Sequence, residues 1–160
     1  MGTNYWWRRR RPTTAPKAPR TLDIDRFARN QCASLTSDQV ASLGLGAFRT
    51  TSFDTGCRWS TDEKTTFDLR FVKVDTLGQV YRDANNGDWP VFEPFDVNGF
   101  PAVKRQQPNT DKDAVFNCNV TVGTAPSQGI EIIALNTGQR VDWCAKSVAA
   151  AQFVVHNLGG

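Results

Sequence analysis

A chain of 160 residues is long enough for one packed domain, and 39% hydrophobic residues exclude wholesale disorder. The net charge of +3 conceals a split: residues 1–20 hold six of the 19 basic residues and no acid, so 13 bases face all 16 acids in the rest, a balance of −3. A mildly acidic domain is a poor partner for nucleic-acid backbones, which reward clustered cations, and no run approaches the roughly 20 apolar residues of a membrane span.

The chain opens on Asn4-Tyr5-Trp6-Trp7 followed by Arg8 to Arg11, with prolines at 12, 16 and 19. Proline fixes φ and removes donors, so residues 1–21 are expected to form an extended, disordered basic stalk, with a single domain over 22–160. The arginines are not followed by the apolar run of a signal peptide. Membrane contact is expected only through this segment, with Tyr5, Trp6 and Trp7 at the interface.

The first ordered signal is a short helix after Leu35. Thr36 as N-cap and Gln39 at N3 form a capping box, Leu35 and Val40 a hydrophobic staple, and Gly44 a left-handed stop. Residues 48–60 and 65–75 then read as a hairpin. In its second arm Phe67, Leu69 and Phe71 alternate with Asp68 and Arg70, the period of a half-buried strand. Cys57 and Trp59 share a face of the first arm.

Residues 76–94 start weakly helical and end in a loop at Asn86-Gly87. Asn98-Gly99 suits a type I′ turn between two strands, which Pro94 and Pro101 mark as edge or bulged. Phe116, Cys118, Val120 and Val122 alternate along the next strand, and 129–136 is another. Val141, Cys144, Val148, Ala151, Val155 and Leu158 then step by three and four along a final helix stopped by Gly159. Strands outnumber crossovers. The expected class is therefore α+β, a mainly antiparallel sheet with helices packed on one face as a two-layer sandwich.

Four cysteines, an even number widely spread, read as two disulfides of an exported domain. Zinc would show a Cys-x2–4-Cys pair, and none occurs. The chain-entropy model gives about 4 kcal/mol to each bridge of the nested pairing and about 3.5 kcal/mol to each of the sequential one, a gap too small to decide. Placement on elements favours strand to strand, Cys57–Cys118, and helix to helix, Cys32–Cys144.

Little points to catalysis. His156 is the only histidine and sits near a helix end, and no Gly-x-Ser-x-Gly elbow accompanies it. Asp62-Glu63 and Asp111/Asp113 lie in turn-like polar stretches and read as solvent-facing charge. Asn119-Val120-Thr121 has the pattern of a glycosylation acceptor but lies mid-strand. No metal or cofactor is implied. The candidate binding surface is the aromatic stretch 85–95, with Trp89, Phe92 and Phe95 as anchors.

Five motifs in order resemble one family. Cys32-Ala33-Ser34-Leu35-Thr36 through Leu43-Gly44, Gly56-Cys57-Arg58-Trp59, Val97-Asn98-Gly99-Phe100-Pro101-Ala102, Cys118-Asn119-Val120 and Trp143-Cys144-Ala145 are similar to motifs of an actinobacterial cell-envelope lipoprotein family, catalogued as domain of unknown function 3558. The resemblance spans about residues 27–158. It implies an exported protein on the extracellular face of the envelope, a compact α/β sandwich of the Mog1/PsbP-like kind, and no established activity. The family's lipidated cysteine has no counterpart here. The resulting expectation is a non-enzymatic envelope domain that binds a protein or envelope component. The alternative is a carrier of a small apolar ligand or lipid between sheet and helices.

Overall fold

The computed structural model describes residues 14–61, 65–89, 91–106, 115–137 and 142–160. The aromatic and arginine cluster of residues 4–11 lies outside these residues, as do Asp62, Glu63, Asp111, Asp113, Val141 and the Phe116 side chain.

Two 3-10 turns, Ile24–Phe27 and Gln31–Ser34, lead into helix α1, Ser37–Ser42. The capping box is formed as the spacing predicts: the Gln39 amide N–H donates to Thr36 Oγ1 at 3.2 Å and the Thr36 N–H donates to Gln39 Oε1 at 2.9 Å. Gly44 follows with a φ of 73°. Strands β1 (Arg49–Phe53), β2 (Gly56–Ser60) and β3 (Thr66–Val72) form a meander. The stretch expected as the first arm of one hairpin thus holds two strands, β1 and β2.

Helix α2, Thr76–Asn85, then carries the chain away from β3. The Asp75 carboxylate caps it, accepting the Gly78 N–H at 2.9 Å, and it buries Leu77, Val80, Tyr81 and Ala84 at the i, i+3, i+4, i+7 spacing of one helical face. A second meander follows: β4 (Val91–Val97), β5 (Phe100–Gln106), β6 (Val115–Ala125) and β7 (Gln128–Thr137). Asn98 and Gly99, at φ of 51° and 88°, make the turn between β4 and β5 that their sequence demands. Helix α3, Trp143–Asn157, closes the domain, capped by Asp142.

The sheet is seven-stranded and antiparallel in the order β1-β2-β3-β7-β6-β5-β4. β4 is an edge, where Pro94 has no second neighbour to serve. Pro101 lies just outside the β5–β6 register, which begins at Ala102.

This order determines where the helices lie. To pass from β3 to the far edge at β4, the chain must cross β7, β6 and β5 over one face, and α2 makes that crossing. Ala102 and Val103 are neighbours in β5 and therefore face opposite ways. Ala102 joins the main core with α3, whereas Val103 joins a second cluster with Leu77, Val80 and Tyr81 of α2. α1 and α3 thus share one face, as expected, and α2 takes the other. Gly123 lets α2 approach closely, since a Cβ there would meet Leu77 Cδ2 at 2.7 Å.

Two disulfides are present, as the cysteine pattern predicts, but with the sequential pairing: Cys32–Cys57 and Cys118–Cys144, with Cα separations of 5.0 and 5.3 Å. The expected pairs Cys57–Cys118 and Cys32–Cys144 are not formed. Cys57 on β2 and Cys118 on β6 do share a face, but β3 and β7 lie between them. Three strand spacings come to about 14 Å, roughly twice the Cα separation a disulfide spans. Each bridge instead ties a non-strand element to the strand beneath it: the second 3-10 turn to β2, and the start of α3 to β6.

Residues 14–21 have no helix or strand but lean on the domain. Ala15 packs against the α2 cluster and Ala18 against the main core. The Arg20 guanidinium lies 5.4 Å from the centre of the Phe100 ring and donates to the Gly159 carbonyl. Leu22 is buried and donates its N–H to the Thr124 carbonyl at 3.1 Å.

Candidate functional site

The expected anchors are only partly brought together. Phe92 and Phe95 belong to β4 rather than to a loop, and three residues of strand place them on opposite faces. Phe92 packs with α2, its ring 5.0 Å from Tyr81 in an edge-to-face contact, while Phe95 packs against the α3 core. Trp89, half-buried in the connection before β4, lies on the α2 side. His156 is exposed in the last turn of α3.

The face that α2 partly covers carries charge where the opposite face carries apolar side chains. Arg58, Asp68, Ile133, Asn119, Arg105 and Phe92 are successive register partners across β2, β3, β7, β6, β5 and β4. The next row along holds Arg70, Glu131, Thr121 and Val103. Three arginines and two carboxylates therefore cross the middle of the sheet.

Asp68 anchors one end of this strip. Arg58 grips it with two hydrogen bonds of 2.6 Å, and Arg70 adds one of 3.0 Å. Burial alone would raise the carboxyl, but the hydrogen bonds from Arg58 and Arg70, with their charges, outweigh it and hold Asp68 below the ordinary carboxylate value. The hydrogen bond to Asp68 raises Arg58 in turn. The Asp68 carboxylate is well paired, although the Arg70 Nε–H is buried without an acceptor.

Arg105 anchors the other end and is not. It is 7% exposed. Its Nη2–H reaches Glu131 Oε1 only at 3.5 Å, and its Nε–H has no hydrogen-bond acceptor. Burial lowers its pKa, countered by the charge and hydrogen bond of Glu131 and by the charge of Asp83. The Trp89 ring lies over the guanidinium at 4.6 Å, an attraction that carries no hydrogen bond. The Thr121 hydroxyl, Asn119 Oδ1 and Thr76 Oγ1 are also buried without a partner.

Arg105, Trp89 and Glu131 line a cleft of about 300 Å³ beneath α2, with Asp83, Gln79 and Val74 at its margin. Val74 stands out among the described residues as a large apolar side chain left 58% exposed. A second cleft, about 480 Å³, lies on the other side of Glu131, toward Arg70 and Lys73. A third, about 500 Å³, lies between residues 14–18 and α2. Among the described residues no three His, Cys, Asp or Glu side chains converge as metal ligation requires.

Sequence reasoning singled out Trp89 but missed Arg58, Asp68, Arg70, Arg105 and Glu131. They alternate with core residues, and the simplest reading of such alternation is a solvated outer face. The one signal available was their density: each of β2, β3, β5 and β7 places a charged residue on that face.

The family model described as "Protein of unknown function (DUF3558)" matches residues 8–157. No curated protein and no solved structure matches the chain.

Proposed function

We propose that this chain, which belongs to the DUF3558 family of proteins of unknown function, is an exported, non-enzymatic domain of the cell envelope that binds a protein or envelope component through the α2 face of its sheet. One observation carries this reading. Arg105 is buried at the base of a cleft with its Nε–H unpaired and only a 3.5 Å contact to Glu131. A buried guanidinium left short of acceptors costs stability, which a ligand supplying an acceptor would recover.

Export fits two disulfides in a chain with no free cysteine among the described residues. A partner surface also fits the three clefts better than an apolar carrier does, since each sets charged side chains beside apolar ones. The test is a photo-crosslinking residue placed at exposed Gln79, on the cleft margin, with exposed Gln152 on α3 as control, in the native envelope. A discrete adduct from position 79 that disappears with Arg105→Lys is expected. Equal adducts from both positions, or none from 79, would refute the reading.

A further inference from the structure

The cleft is built for more than one kind of charge. Its floor holds one buried cation, Arg105, with an unused donor at Nε. Asp75 and Asp83 stand on its α2 side, and Glu131 lies beside Arg105 on the sheet. Arg82 is engaged with Asp75 at 3.4 Å and with Gln79 at 3.0 Å, so it is not the counter-ion of the other two acids. Among the cleft's lining residues, Asp83 at the α2 mouth and Glu131 beside Arg105 on the sheet outnumber Arg105 by one charge, while Arg70, across the strand from Glu131, is held by Asp68. A free anion suits the floor but is repelled at the mouth, and a simple cation suits the mouth but meets Arg105 below it. Trp89 and Val80 supply apolar wall between the two levels, and about 300 Å³ accommodates one or two amino-acid residues.

We infer that this cleft binds a small zwitterion, an amino acid or the end of a short peptide, with its carboxylate on the Arg105 Nε–H and its ammonium toward Asp83 and Glu131. A carboxylate there gives Arg105 the charge-assisted hydrogen bond it lacks. The buried Thr76 hydroxyl, which also lines the cleft and has no partner, adds a further polar contact. This inference rests on the α2 face being a binding surface and names the chemistry that face selects.

The experiment is a titration of the full chain followed through the NMR signals of the Arg105 Nε–H and Trp89 indole N–H. The probes are alanyl-alanine, N-acetylalanine (carboxylate only) and alaninamide (ammonium only). Saturable shifts with alanyl-alanine are expected, with each capped probe weaker by about tenfold or more, the value of one charge-assisted hydrogen bond. Arg105→Lys should weaken alanyl-alanine by a similar factor. Asp83→Asn, at a half-exposed position where folding is not at risk, should bring it toward the affinity of N-acetylalanine. Equal binding of N-acetylalanine would reduce the site to an anion site, and equal binding of alaninamide to a cation site. Either result overturns the inference, as does the absence of shifts with all three probes. If the Gln79 adduct still depends on Arg105 while no probe binds, the zwitterion falls and the binding surface stands. If alanyl-alanine binds but no adduct forms, the reverse holds.

Discussion

On the α1/α3 face of the sheet, Trp59, Phe67, Ala134 and Cys118 form one cross-strand row. One residue along the same strands, Arg58, Asp68, Ile133 and Asn119 form its counterpart on the α2 face, continued by Arg105. The first row packs two disulfide-bearing strands against α3. The second buries Asp68, Asn119 and Arg105 and leaves Arg58 exposed, on a face that α2 covers only in part. Because side chains alternate along a strand, a single antiparallel sheet holds a conventional core on one side and a polar, incompletely paired layer on the other. Burial thus means opposite things on the two sides. On the apolar face it stabilises through area removed from water and close packing. On the α2 face it carries a desolvation cost, which Asp68 recovers through its arginines and Arg105 recovers only in part.

The largest effect should come from the apolar face. Phe67 is fully buried, with its ring about 6 Å from both Trp59 and Trp143. Phe67→Ala should destabilise by about 3–5 kcal/mol, from lost transfer energy and the cavity left behind, measured by urea unfolding. A loss below about 1 kcal/mol would mean that this row is not the centre of the core. The Cys118–Cys144 bridge comes next. It closes a segment of 26 residues, and the chain-entropy model gives such a loop about 3.5 kcal/mol. The Cys118→Ala/Cys144→Ala variant should show that loss in the same assay. A non-reducing peptide map of the native protein should link residues 32 with 57 and 118 with 144.

The contrast between the faces also explains what could be read from the sequence. Local grammar was readable wherever neighbouring residues decide the structure. The capping box at Thr36 and Gln39, the turn at Asn98-Gly99 and the alternation of β3 all rest on contacts within a few residues. The final helix was readable in outline. Its buried stripe runs through Trp143, Ser147, Ala150, Ala151, Val154 and Val155, while Cys144 and Val148, expected inside, are only half-buried. A pattern of small residues fixes the phase of a helix poorly. The disulfide pairing and the side taken by α2 were not readable, because both depend on strand order. That order is set by β7 inserting between β3 and β6, a long-range pairing with no local signature. The charged strip was hidden for the same reason: only the crossing of α2 turns alternating polar positions into a cleft.

Smaller effects test the α2 face itself. Asp68→Asn keeps the shape and removes the charge that Arg58 and Arg70 grip. Both arginines are substantially exposed, at 44% and 37% of their side chains, so solvent screens the pairs and the cost should be about 1–2 kcal/mol. The pH dependence has a definite sign. The Asp68 pKa is lowered in the folded state, so its stabilisation is fully present above the unfolded value of about 4 and is lost as pH falls through the folded value. The wild-type protein should therefore lose its advantage over Asp68→Asn in that acid range, with the difference constant from about pH 5 upward. An equal gap between the two proteins at all pH values would show that the Asp68 charge is not what stabilises this cluster.

The smallest effect is the most informative. Arg105 and Glu131 make one long contact, and the arginine is short of acceptors. Replacing both in Arg105→Met/Glu131→Gln removes one buried and one half-buried charge while keeping volume, and such replacements of buried ion pairs are often neutral or stabilising. The double variant should unfold within about 1 kcal/mol of wild type, or later. The single variant Arg105→Met should be the worse of the two, because it leaves Glu131 without its partner. A loss of several kcal/mol in the double variant would make the strip a structural brace and erase the difference between the faces. Preserved stability, with the Gln79 adduct abolished, would show that this part of the sheet buries charge for recognition rather than for folding.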